Sequence, residues 1–141
     1  MPHTIVYIED ETAIIELIGD VLSHPKVKLV GVPNPAEGIK AVKKEKPDLI
    51  LLDVMMPGTS GWDIYHALRA DEAFKRTPII MLTGQLHRYR VMKEFSHSPV
   101  DAYITKPFNA SDVRTEIEKM LSLPLWSRPS EAQASAETPK P

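Results

Sequence analysis

Leu49-Ile50-Leu51-Leu52-Asp53 is the stretch whose reading decides the fold. In an extended segment, successive side chains point to opposite faces of a sheet, so an unbroken apolar run predicts a strand covered by helices on both sides, as in a parallel sheet. Ile79-Ile80-Met81-Leu82 repeats the pattern, and these two runs are expected at the centre of the sheet. Working outward, strands are predicted at Thr4 to Ile8, Val27 to Val32, Asp48 to Leu52, Pro78 to Leu82 and Ala102 to Ile104. Between them, Ile14, Leu17, Ile18, Val21 and Leu22 stand at three- and four-residue spacing and predict a first helix from near Asp10. Ile39 and Val42 mark a second helix, Tyr65 and Leu68 a third, Val91, Met92 and Phe95 a fourth, and Val113, Ile117, Met120 and Leu121 a fifth. Strand and helix patterns in alternation predict an α/β fold, a single doubly wound (βα)5 domain.

The rest of the composition narrows the class. A chain of 141 residues has room for one domain. Its 43% hydrophobic and 26% charged residues are those of a soluble globular protein. A net charge of -2 provides no basic face, so direct nucleic-acid binding by this segment is not expected. The absence of cysteine excludes disulfides and thiolate chemistry. Met1-Pro2-His3-Thr4 leads straight into a strand without the pattern of a secretory signal, and no apolar run approaches the roughly 20 residues that span a bilayer. A cytoplasmic protein without membrane contact is expected. From Pro124 the composition turns to Pro, Ser, Ala, Glu and Lys, which predicts a domain over residues 1–123 and a disordered tail or linker over 124–141. Leu125 and Trp126 could dock on the fifth helix or stand exposed.

In a doubly wound sheet, ligands bind at the carboxyl ends of the strands where strand order reverses. The first strand ends in Glu9-Asp10-Glu11, the third in Asp53, the fourth in Thr83 and the fifth in Thr105-Lys106-Pro107. Taken singly, Asp10 and Thr83 read as helix caps, Asp53 as support for a turn and Lys106 as a surface lysine. Taken together, they put acids, a hydroxyl and an ammonium along one edge. If Glu9, Asp10 and Asp53 converge, like charges about 4 Å apart repel by about 4 kcal/mol at an effective dielectric near 20, so the cluster must hold a proton or bind a cation. All-oxygen ligation favours Mg²⁺ or Mn²⁺. A carboxylate can also attack phosphorus and form an aspartyl phosphate, with a metal, a lysine and a hydroxyl stabilising the phosphoryl oxygens.

Asp53-Val54-Met55-Met56-Pro57-Gly58-Thr59-Ser60-Gly61 resembles the D-x-x-M-P-x-x-x-G signature of receiver domains of two-component response regulators, the CheY-like superfamily. It stands with an acidic pair, a threonine after the fourth strand and Lys-Pro-Phe. The resemblance covers about residues 3 to 122 and implies a flavodoxin-like fold with strand order 2-1-3-4-5. It further implies that Asp53 is the phosphoacceptor, Asp10 a direct Mg²⁺ ligand, Glu9 an outer-shell ligand, and Met55 a ligand through its backbone carbonyl. Lys106 would bind a phosphoryl oxygen and precede a cis bond to Pro107, while Thr83 and Tyr103 would act as switch residues. The implied donor is a histidine kinase or histidine phosphotransfer protein. The implied outcome is a changed surface on the fourth helix, fifth strand and fifth helix, read by a downstream protein, an output domain or a phosphorylation-dependent homodimer.

Some residues depart from that pattern. Glu9 stands where Asp is more usual, Ser96 to Asp101 lacks the common Gly-Ala turn, and Gln85 follows Thr83 by two residues. Other motifs are missing. The chain has no nucleotide-binding glycine loop, Gly58-Thr59-Ser60-Gly61 is too short for a hydrolase elbow, and His3, His24, His66, His87 and His97 show no metal-ligand spacing. Arg88, Arg90 and Lys93 read as a solvated helix face. A haloacid dehalogenase type phosphatase would need an acid two residues after its nucleophile, where this chain has Met55. A phosphorylation-independent interaction module is the remaining alternative.

Overall fold

The computed structural model describes residues 2–56, 58–84, 102–106 and 108–126. Five parallel strands form one sheet: β1 (His3–Ile8), β2 (Val27–Val32), β3 (Leu49–Asp53), β4 (Ile79–Gly84) and β5 (Ala102–Lys106), in the order β2-β1-β3-β4-β5. This is the flavodoxin-like order expected, with the switch point between β1 and β3. Every predicted strand is present. Val27–Val32 matches residue for residue, and the others begin or end one to two residues away. A small antiparallel ribbon, Met55–Met56 with Thr59–Ser60, was not foreseen.

The two faces of the sheet hold separate cores, and alternation along the strands assigns side chains to them. Val6, Ile8, Ile50, Leu52, Ile79 and Met81 face α2 (Gly38–Glu45) and α3 (Gly61–Arg69), joining Val42, Ile64, Tyr65 and Leu68. Ile5, Tyr7, Leu49, Leu51, Ile80 and Leu82 face α1 (Thr12–Val21) and the C-terminal helix (Ala110–Leu121), joining Ile18, Leu22, Val113 and Ile117. Full burial of one such aliphatic side chain stabilises by about 1.5–3 kcal/mol, so the two apolar runs anchor both layers at once. The first helix departs from its predicted stripe: Leu17 is 54% exposed, while Ile14, Ile15 and Ile18 pack inward. The fourth predicted helix, with Gln85, Arg88, Arg90 and Lys93, lies outside the described residues.

Local chemistry explains where helices start and stop. Ser60 caps α3 by accepting from Trp62 N–H at 3.1 Å, and Asn109 caps the C-terminal helix by accepting from Asp112 N–H at 2.8 Å. Both Lys46 after α2 and Ser122 after the C-terminal helix take left-handed φ values, 47° and 56°, that stop the helix. Among the described residues no helix is long and apolar enough to cross a membrane.

Candidate functional site

Parallel register brings the acids together. Ile8 pairs with Leu52, so the residues that follow, Glu9 and Asp53, leave adjacent strands at the same level. Glu9 N–H donates to Val32 O at 3.2 Å, and Val54 N–H donates to Leu82 O at 2.9 Å, which ties both strand exits to their neighbours. Glu9 is fully buried, Asp53 is 4% exposed and Asp10 is half-buried. One carboxylate oxygen from each of the three lies within 4.8 Å of the others. The structure therefore brings together the three acidic residues expected to converge.

Their alternative, purely structural roles lose support. The N-cap of α1 is Glu11, whose side chain makes no capping hydrogen bond, and Asp53 is the last residue of β3 rather than part of a turn. Hard oxygen donors in a buried cluster fit a hard divalent cation, since two or three carboxylates this close otherwise repel strongly.

The other expected site residues are placed through their backbone alone. Asp53 pairs with Leu82, so Thr83 stands one step beyond the level of the acid, and Thr83 pairs in turn with Thr105. Lys106 closes β5 opposite Gly84, and Tyr103 pairs with Met81 within the sheet. Met55 opens the small ribbon directly after β3. Thr83 and Lys106 thus reach the same sheet edge as the acids. Pro107 lies outside the described residues.

Two structural roles were not legible in the sequence. Gly61 begins α3 and donates its N–H to Val54 O at 2.8 Å. A Cβ there would press on Asp53 O and sit 2.8 Å from Val54 Cα, so only glycine lets α3 start this close to the end of β3. The second is Tyr7, fully buried two residues before Glu9, whose hydroxyl has no hydrogen-bond partner among the described residues. Burial first, then the negative field of Glu9, Asp53, Glu11 and Asp10, pushes its hydroxyl above the usual tyrosine range, which keeps it neutral. The only sequence signal was a hydroxyl-bearing ring in the run Ile5-Val6-Tyr7-Ile8.

Comparison with known proteins identifies the framework. Residues 5–118 match the family described as the response regulator receiver domain. The chain belongs to that family. This receiver domain is 34% identical over 84% of its length to the phosphate regulon transcriptional regulatory protein PhoB of Pseudomonas aeruginosa, covering 51% of that protein. It thus spans about half the length of the curated relatives it matches. Among solved structures, the chemotaxis protein CheY4 of Vibrio cholerae superposes with a TM-score of 0.77 at 22% identity, covering 86% of this chain and all of that one. The receiver domain of the sensor histidine kinase PA1611 of Pseudomonas aeruginosa, described with a magnesium ion coordinated in its active site cleft, superposes at 0.76 with 20% identity over 86% and 99% of the two chains. At these identities the structural likeness speaks for the fold. Receiver domains are signalling units of two-component systems, and that is the class of this chain.

Proposed function

We propose that this receiver domain is a phosphorylation switch in which Asp53 accepts a phosphoryl group from a phosphohistidine donor, a histidine kinase or a histidine phosphotransfer protein. The observation that carries the proposal is the convergence of Glu9, Asp10 and Asp53 within 4.8 Å at the carboxyl edge of the sheet. Asp53 Oδ attacks phosphorus, the P–N bond breaks, and its electron pair stays on the donor imidazole, which takes up a proton.

Glu9, Asp10, Asp53 and the backbone carbonyl of Met55 would hold Mg²⁺, or Mn²⁺ in its place, as the magnesium-bearing cleft of the Pseudomonas receiver domain supports. When bound, the cation supplies positive charge that offsets repulsion between the carboxylates and the phosphoryl oxygens. Lys106 binds a phosphoryl oxygen from the end of β5. Thr83 donates its hydroxyl to the same group, and Tyr103 turns inward behind it.

Phosphorylation adds about -1.5 to -2 charges at this edge. Moving a population from 1:99 to 99:1 takes about 5.5 kcal/mol of differential stabilisation, within reach of several charge-assisted hydrogen bonds. The partner surface would be the face on which the predicted fourth helix, β5 and the C-terminal helix meet, and its reader a downstream protein or an attached output domain. Intact mass after incubation with Mg²⁺ and acetyl phosphate tests the proposal. The native chain is expected to gain one phosphoryl group, and Asp53→Asn none; a native chain that stays unmodified in the presence of metal, or an equally modified Asp53→Asn, sinks it.

A further inference from the structure

Beyond the C-terminal helix the chain does not leave the fold at once. Ser122 turns it through a left-handed residue, and Leu123 N–H donates to Glu118 O at 3.1 Å. Trp126 then lies back across the ends of two helices. Its backbone N–H donates to Glu118 Oε2 at 2.8 Å, and its Nε1–H donates to Ser23 O at 3.3 Å. The indole meets the His24 ring edge-on at 6.0 Å between centroids and carries the Arg114 guanidinium 5.8 Å above its ring. Arg114 also donates from Nε to Val21 O at 2.7 Å, placing a cation on the last carbonyl of α1, where the helix dipole favours it. Trp126 packs against the same core as Ile18 and Ile117.

We propose that Leu123–Trp126 is a terminal strap that ties the C-terminal helix to the end of α1 and makes any chain after Trp126 depart from the pole opposite the acidic cluster. Both helices run from the carboxyl edge of the sheet back to its amino edge. The 12-residue C-terminal helix, at about 1.5 Å per residue, is about 18 Å long, so the strap lies about one helix length from the carboxyl edge of the sheet. The folded unit then ends at Trp126 and not at residue 123, and a following segment is tied to two helices instead of hanging from one. A shift of the C-terminal helix against α1 must carry the strap along or break its contacts with Ser23 and His24. The strap does not depend on the chemistry of Asp53.

The test uses thermal unfolding of the full chain with Trp126→Ala, Arg114→Ala and the double variant. Trp126→Ala is expected to lower Tm by roughly 5 °C. The double variant should fall clearly short of the sum of the two single losses, because each removes part of the same contact. Trp126→Phe, which keeps an aromatic ring but lacks the Nε1 donor, should lose less than Trp126→Ala. An unchanged Tm for Trp126→Ala, or strict additivity in the double variant, overturns the proposal.

Discussion

Tyr7 places a hydroxyl inside the apolar layer formed with Ile5, Leu49 and Leu51. A buried hydroxyl without a hydrogen bond costs about 1–3 kcal/mol, whereas a phenyl ring of the same shape loses nothing by being there. Tyr7→Phe is therefore expected to leave stability at neutral pH unchanged or raise it by about 1 kcal/mol, measured by urea unfolding. The pH dependence has a definite sign. The folded-state value lies above the unfolded value near 10, so the unfolded chain releases its proton first. The contribution of Tyr7 is whole below about pH 10 and is lost as pH rises beyond it. The advantage of Tyr7→Phe should consequently widen above about pH 10, and a variant that is weaker than the parent at neutral pH would show that the hydroxyl is satisfied. Glu9, Asp10 and Asp53 were legible in the sequence because each ends a recognisable strand. The burial of the Tyr7 hydroxyl without a partner among the described residues was not, since a hydroxyl's partners come from other elements.

Among the elements, α1 separates periodicity from burial. Ile14, Ile15, Leu17 and Ile18 are all apolar, so spacing alone cannot say which of two adjacent stripes turns inward; the sheet decides, leaving Leu17 54% exposed and Ile18 fully buried. Ile18→Ala is expected to cost about 2–5 kcal/mol. Leu17→Gln should stay within about 0.5 kcal/mol of the parent. Equal losses for the two, read as shifts in the urea midpoint, would mean the helix sits in the other phase. Strand ends were misjudged for a related reason. β4 and β5 continue through Thr83-Gly84 and Thr105-Lys106 because ladder pairing persists after the apolar run stops. Hydrophobicity marks the buried part of a strand, and hydrogen bonding marks all of it.

At the scale of the whole molecule, stability and ligand binding are linked through the acidic cluster. One carboxylate oxygen from each of Glu9, Asp10 and Asp53 lies within 4.8 Å of the others, close enough for like charges to repel. A cation that binds only the native state stabilises it by about 2.7 kcal/mol at one hundred times its dissociation constant. Mg²⁺ is expected to raise Tm by several degrees in the native chain. Asp10→Asn should raise Tm in metal-free buffer by relieving repulsion, and should abolish most of the Mg²⁺ response. A Mg²⁺ shift that survives Asp10→Asn undiminished would place the cation elsewhere. The strap adds a second link at the far pole, where residues 103 positions apart, Trp126 and Ser23, are joined by one hydrogen bond.

The sequence by itself determined the layer order, the five strands and the three acids at their ends, because apolar runs and strand-terminal polar residues are local patterns with one favourable arrangement. Tertiary structure alone decided which face of α1 is buried, why position 61 must be glycine, that the Tyr7 hydroxyl is buried with no hydrogen-bond partner among the described residues, and that Trp126 folds back. Each of these depends on how far apart two distant stretches of chain come to rest, and no local pattern encodes that distance.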